Sequence, residues 1–246
     1  MPGSPTLEAA VEDHGAMRQR KGHETANGLT WAVLTGVLLV LFIALTAVVL
    51  SGAADSLDVP VAHFFRPDEA WGAPQDRVAP WLTRLGPVPM FALLAVTCLA
   101  VAAWRRSWDS VAFGAVTALS SVVATLLVKA AVARTDPLGG ISPDGGSYPS
   151  GHMVAIVVSL ATCQLVLLPR VRWWCWLLLA VPSGLLAVSL VVTTSHWVTD
   201  VVGGVLLSGA LVAATTWLCR GYRPRARRPM PEWEPGQQQS RETSSG

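Results

Sequence analysis

A chain of 246 residues that is 52% hydrophobic, with a mean hydropathy of +0.45, carries more apolar side chain than one soluble core of that size can bury. A net charge of only +2 excludes nucleic acid as a partner, because the basic residues gather beside apolar runs and build no extended basic surface. The four cysteines, Cys98, Cys163, Cys175 and Cys219, all fall inside apolar runs and form no CxxC pair, which excludes a disulfide framework and a cysteine metal site.

The long apolar runs predict an all-α polytopic membrane protein with six transmembrane helices in a bundle. Residues 1–27 are polar and mixed in charge, ending in Arg18, Arg20 and Lys21, and read as a flexible cytoplasmic tail. The membrane domain is expected over 28–219. Its first span, about 29–52, is too long for a signal-peptide core. Residues 53–86 alternate polar stretches with apolar patches at Val59–Phe65, Val78–Leu82 and Leu85. Pro60, Pro67, Pro74 and Pro80 are expected to break this interlude into one or two short helices lying on the membrane surface.

Spans two and three are expected at about 87–104, ending at Arg105 and Arg106, and 109–132, with Lys129 near the far end. A Gly-rich polar loop, 133–149, leads to span four at about 150–168, closed by Pro169, Arg170 and Arg172. Span five is expected at about 173–194, with a kink at Pro182. Span six, about 196–219, runs into Arg220, Arg223, Arg225, Arg227 and Arg228. Residues 220–246 are expected to form a cytoplasmic tail that is first basic and then, in its remaining Pro/Gln/Ser-rich part, disordered. The basic clusters fall at the N-terminal tail, the 2–3 turn, the 4–5 turn and the C-terminal tail. The positive-inside rule then puts both termini in the cytoplasm and the 1–2, 3–4 and 5–6 connections outside.

That topology brings two histidine segments to one face. In Tyr148-Pro149-Ser150-Gly151-His152, Ser150 suits a helix cap and the following N–H groups sit at the positive end of the helix dipole, an anion site beside a titratable imidazole. In His196-Trp197-Val198-Thr199-Asp200, a helix would set His196 and Asp200 at i and i+4, where the carboxylate can hold one ring nitrogen and leave the other available. Each piece has a plainer reading: serine is a common cap, an interfacial histidine can simply be solvated, and Lys129 can snorkel to the headgroups. An ionisable group inside an apolar helix, however, is usually functional, and here several share one end of the bundle.

Pro149-Ser150-Gly151-His152, with His196-x3-Asp200 after it and Lys129 before it, resembles the type 2 phosphatidic acid phosphatase superfamily, the membrane relatives of the vanadium haloperoxidases. The resemblance covers roughly residues 80–215. The family's three motifs are Lys-x6-Arg-Pro, Pro-Ser-Gly-His and Ser-Arg-x5-His-x3-Asp. The first matches at Lys129 and Pro137, the second completely, and the third at Ser189, His196 and Asp200. Asp136 and Leu190 stand where the family has phosphate-binding arginines.

The resemblance implies a membrane lipid phosphatase with two-step chemistry. His196, polarised by Asp200, attacks phosphorus to form a phosphohistidine; His152 protonates the leaving group and then activates water. Lys129, Arg134, Ser150 and the Gly151 and His152 amides would stabilise the phosphoryl oxygens. Arg134 can serve only if the chain has left the helix before it, and an arginine restored at 190 is expected to raise activity. No metal or cofactor is expected, with Asp136 and Asp144 leaving a weak case for a bridging cation. The implied partners are a lipid phosphate and the membrane lipids, with the site on the outer face of the plasma membrane. Phosphatidate, phosphatidylglycerol phosphate and polyprenyl phosphates or diphosphates stay open, as does the oligomeric state. With two arginines replaced, an alternative keeps the fold but binds, transports or transphosphorylates a lipid phosphate; a second is a structural membrane protein with a degenerate site.

Overall fold

The computed structural model describes residues 7–67, 72, 75–78, 85–141, 145–168 and 172–219, with side chains from residue 28 onward. Asp144, Arg170 and the whole segment 220–246 lie outside the described residues, with the expectations placed on them. Among the described residues, seven helices of eleven residues or more follow in chain order: α1 (Leu7–Leu50), α2 (Asp55–Phe65), α3 (Pro87–Arg105), α4 (Asp109–Val132), α5 (Gly151–Leu167), α6 (Trp173–Val192) and α7 (Val198–Leu218). There is no strand among the described residues.

Among the described residues, five helical stretches are long and apolar enough to cross a membrane: Gly28–Leu50, Pro87–Arg105, Asp109–Val132, Trp173–Val192 and Val198–Leu218. The shorter apolar α5 is the sixth expected segment. Helix α1 continues back to Leu7, beyond the expected start of the span. No proline interrupts the chain between Pro5 and Pro60, and Ala, Glu, Gln, Arg and Lys in this stretch favour helix. Pro60 was expected to break its segment, yet it lies within α2.

Helix α5 forms the centre of the bundle, packed against α3, α4, α6 and α7, while α1 lies along α7. Met153 through Ser159 of α5 are all buried. The outer faces carry exposed Val40, Ile43, Val96, Leu119, Leu127, Leu185 and Val188, an apolar surface that suits lipid and not water.

Inside the bundle, small and weakly polar residues let the helices approach. The buried face of α4 runs Ser110, Gly114, Thr117, Ser121, Thr125 and Lys129, one residue per turn. Thr117 Oγ1 lies 3.2 Å from Thr215 Oγ1 of α7, and Ser110 Oγ donates to the Cys98 carbonyl of α3 at 3.0 Å. The stripe ends in a charge, Lys129, one turn before α4 stops.

The two ends of the bundle differ in character. At one end Arg105 donates to the carbonyl of Leu167, bringing the α3–α4 turn to the C-terminus of α5. At the other end gather the start of α5, the start of α7, the end of α4 and helix α2.

Candidate active site

The loop after α4 is shaped by its backbone. Ala133 takes a left-handed conformation (φ 48°) and returns its N–H to the Lys129 carbonyl at 2.8 Å, so the chain has left the helix before Arg134. Farther along the loop, Gly146 has φ 151°, and a Cβ there would stand 3.0 Å from the Arg134 nitrogen and 3.2 Å from the Lys129 carbonyl oxygen. Buried Lys129 donates from Nζ to the Gly146 carbonyl at 2.6 Å. Its Cε lies 4.0 Å from where a Cβ on Gly151 would be, so the lysine stands against the Ser-Gly-His turn.

Ser150 is the N-cap of α5: its side chain accepts from the Met153 N–H at 3.5 Å, and its own N–H donates to the Asp200 carbonyl at 3.0 Å. Close approach of α7 permits this bond. A Cβ on Gly203 would fall 2.6 Å from the Tyr148 ring, and one on Gly204 would fall 2.9 Å from the Ser150 carbonyl oxygen. Tyr148, fully buried before a cis peptide bond to Pro149, is braced by α1: Phe42 stacks on its ring and Thr46 shares a 2.9 Å hydrogen bond with its hydroxyl.

The geometry around His196 departs from the sequence expectation in one respect. His196 is not helical; it sits in the turn between α6 and α7, and the helix opens at Val198. Asp200, in the first helical turn, reaches back instead. Its Oδ2 accepts the Trp197 N–H at 3.2 Å and lies 3.4 Å from His196 Nδ1. Free N–H groups at the helix start attract this carboxylate, and the imidazole is held as a consequence. With Nδ1 on the carboxylate, Nε2 is the nitrogen available for chemistry. The His152 ring faces it, centroid to centroid 6.1 Å, at 67° between planes.

Arg134 joins the site from behind. Nη1 donates to Asp200 Oδ1 at 2.9 Å and to Thr199 Oγ1 at 2.7 Å, while Nη2 donates to Asp58 Oδ2 at 2.8 Å and Asp55 Oδ1 at 3.4 Å. Its guanidinium also lies 5.2 Å from the centre of the Trp197 ring. Burial on its own would lower the Arg134 pKa, but the hydrogen bonds and charges of Asp58 and Asp200 outweigh it and push it above the ordinary value.

Sequence reasoning missed Asp58 and Thr199. Asp58 is 1% exposed; it accepts the Thr199 N–H at 3.1 Å and the Thr199 hydroxyl, capping α7 from a different helix. Its signal was a carboxylate set directly between Leu57 and Val59, where an uncompensated charge is expensive.

The two positions that depart from the motifs are now explained. Asp136 does not face the anion site: its Oδ1 accepts the N–H groups of Leu138 and Gly140, each at 2.9 Å, closing its own loop. Leu190 is 1% exposed and packs with Met153, Ile156, Leu186 and Val201. Ser189 donates within its helix to the Leu185 carbonyl. Among the described residues, no group of three or more His, Cys, Asp or Glu is placed to hold a metal ion.

Thus Lys129, Ser150, Gly151, His152, His196 and Asp200 come together at one end of the bundle, with Arg134 bound to the carboxylate behind His196. This arrangement can seat an anion beside two facing imidazoles, one of them oriented by a buried carboxylate.

Residues 111–225 match the sequence model of the PAP2 superfamily. A comparison with curated proteins finds no significant match. Among solved structures, the chain is similar to a transmembrane PAP2-type phosphatidylglycerolphosphate phosphatase from Bacillus subtilis, with a TM-score of 0.65 and 18% sequence identity, over 80% of this chain and 99% of that one. At that identity the likeness is one of fold. The matched segment contains Lys129, His152, His196 and Asp200, so the similarity to the PAP2 superfamily falls on the residues gathered at this site.

Proposed function

We propose that this protein is a membrane phosphatase that hydrolyses a lipid phosphate or diphosphate through a phosphohistidine on His196. The observation that carries the reading is the facing pair of imidazoles, with Asp200 on Nδ1 of His196 and His152 across from the ring. In the first step the Nε2 lone pair attacks phosphorus, and the P–O bond to the leaving group breaks as His152 donates its proton. In the second, His152 takes a proton from water, whose oxygen attacks the phosphohistidine and releases phosphate. Lys129 and the amides at the start of α5 stabilise the charge on the equatorial oxygens. Arg134 adds positive potential while holding Asp200.

A lipid substrate is supported by the position of the site, at the end of a bundle whose outer faces are apolar. The outer face of the plasma membrane is supported by charge: Arg105, Arg106 and Arg172 lie at the opposite end, about 25 Å away along the 17 residues of α5. Both termini are then cytoplasmic. The reaction as written needs no metal.

The test is phosphate release by the purified protein in detergent from phosphatidate, with and without EDTA. The expected result is turnover that survives EDTA, disappears in His196→Ala, and is accompanied by an acid-labile phosphoenzyme. His152→Ala should suffer most with alkoxide leaving groups and less with an activated aryl phosphate. Wild-type activity in His196→Ala on every substrate would sink the mechanism.

One observation favours a second reading, in which the protein binds or transfers a phosphoryl group without efficient hydrolysis. Position 190 is filled by a packed leucine, and the Arg134 donors are engaged with carboxylates, which thins the positive cradle. Binding of lipid phosphate without release of inorganic phosphate would favour it.

A further inference from the structure

A cavity of about 400 Å³ opens beside the turn that carries His196. Its walls come from three parts of the chain: His63 and Arg66 at the end of α2, Leu138 of the loop after α4, and Thr194 and Trp197 of the α6–α7 turn. Pro137 of the first motif also lines it, while His63 and Arg66 lie outside all three motifs. Its volume is within the usual range for a small-ligand site, and basic and hydrogen-bonding groups share the lining with apolar ones.

Thr194 is the most informative of the lining residues. It is 2% exposed, and its Oγ1 has no hydrogen-bond partner among the described residues. Leaving a buried hydroxyl without a partner is destabilising. Its backbone is also held at φ 49°, a conformation that a β-branched residue adopts only when its surroundings impose it. A buried hydroxyl without a protein partner, on an unfavourable backbone in a residue that lines the cavity, marks Thr194 as a candidate ligand contact.

The charge in the wall defines that ligand. His63, in the last turn of α2, and Arg66, the residue that ends it, both line the cavity. A guanidinium is suited to bidentate recognition of phosphate oxygens. Thr194 and Trp197 sit two residues before and one residue after His196, so their Cα atoms lie within about 7 Å of that of His196. That spacing suits a second group on one substrate better than a separate molecule.

We propose that this cavity is a subsite for a second anionic group on the headgroup, bound by Arg66, His63 and the Thr194 hydroxyl while the scissile phosphate occupies the site at His196. The proposal rests on the phosphatase reading and narrows it to lipids whose head carries two phosphorus centres. Two chemistries share that feature: the proximal phosphate of a diphosphate whose terminal phosphate is the scissile one, and the phosphodiester of a phosphoglycerol phosphate head.

The experiment compares matched pairs on the full chain in detergent: farnesyl phosphate with farnesyl diphosphate, and dioleoyl phosphatidate with dioleoyl phosphatidylglycerol phosphate. The readout is the ratio of kcat/KM within each pair. The wild type should favour the doubly anionic member of at least one pair by tenfold or more, and the preferred pair names the source. Arg66→Ala should lower that ratio about tenfold. Thr194→Val, which keeps the side-chain shape, should lower it at least threefold and decides the matter if the arginine variant is unstable. No preference in the wild type, or a preference that survives both substitutions, overturns the subsite. If the wild type hydrolyses none of the four lipids, the phosphatase reading fails, and the subsite is judged by calorimetric binding of methylenediphosphonate. Binding weakened tenfold or more by Arg66→Ala then upholds it, and equal or absent binding overturns it.

Discussion

Arg134 and Asp58 meet at 2.8 Å across 76 residues of sequence, the guanidinium from the loop after α4 and the carboxylate from the short helix α2. Through the other nitrogen of the same guanidinium, Asp58 is connected to Asp200 and so to His196. His196 is thus oriented by a chain of groups that begins outside the three motifs and outside the matched segment. Removing the middle or the far end of such a chain should disturb the reaction without touching the phosphate.

Asp58→Ala leaves Arg134 and the Thr199 N–H and hydroxyl short of an acceptor in a buried place. Breaking a buried pair from one side costs about 3–5 kcal/mol. The expected outcome is a clear drop in thermal midpoint, together with a fall in kcat of tenfold or more and a small change in KM. Asp58→Asn, which retains an acceptor oxygen, should lose less of both. The measurement is a melting curve in detergent beside steady-state kinetics; a KM effect with unchanged kcat would argue that Asp58 contacts substrate instead.

Arg134 can be tested by charge and by shape. Arg134→Ala should reduce kcat strongly, because Asp200 loses a 2.9 Å partner and keeps its buried charge. Arg134→Lys preserves the charge but not the two-pronged bridge between Asp58 and Asp200, so it should recover only a small part of the activity. The double variant Asp58→Ala/Arg134→Ala should cost less stability than the sum of the single changes, since neither partner is left alone. Additive losses in that cycle would show that the two residues act separately.

Leu190→Arg was expected from sequence to raise activity by restoring a motif arginine. The structure turns that expectation round. Leu190 is packed among Met153, Ile156, Leu186 and Val201, and an arginine there would bury an unpaired charge in an apolar cluster. The expected result is lower yield and a lower melting temperature with no gain in phosphate release. An active, stable Leu190→Arg protein would show that the side chain can swing out of the cluster to the anion site.

The helical segments and the Pro-Ser-Gly-His turn were legible because each leaves a local mark: an uninterrupted apolar run, a serine before a helix, a lysine at the end of a span. The shared face of Lys129, His152, His196 and Asp200 was legible because alternating turns fix which helix ends lie together. Asp58 was not, since its burial depends on how α2 docks onto the start of α7, and an aspartate in an amphipathic stretch reads as solvated. Nor was the role of Asp136 visible. Counting from Lys129 places it in the cradle, whereas two backbone N–H groups in its own loop claim its carboxylate. The register of His196 was misread for a similar reason. Spacing of four suggested one helix face, while the acid actually folds back across a helix start.

The last prediction concerns the contact that joins the second and third motifs. Ser150 donates to the Asp200 carbonyl at 3.0 Å, and this depends on α7 presenting Gly204 to the turn. A methyl group on Gly204 would stand 2.8 Å from Met153 Cβ and 2.9 Å from the Ser150 carbonyl oxygen, and backbone of this kind cannot easily give way. Gly204→Ala should therefore push α7 away from the start of α5, lengthening the bond and separating His196 from His152. A displacement of about 1 Å between reacting groups is enough to cost on the order of a hundredfold in rate. Gly209→Ala on the same helix is the control: there the added carbon meets only Leu38 Cδ1, the flexible end of a side chain, at 3.0 Å. The expected pattern is a loss of kcat of about a hundredfold for Gly204→Ala and less than threefold for Gly209→Ala, measured at equal folded concentration. Similar activities in the two variants would mean that the close contact between α7 and the Ser150 turn does not hold the histidines in register.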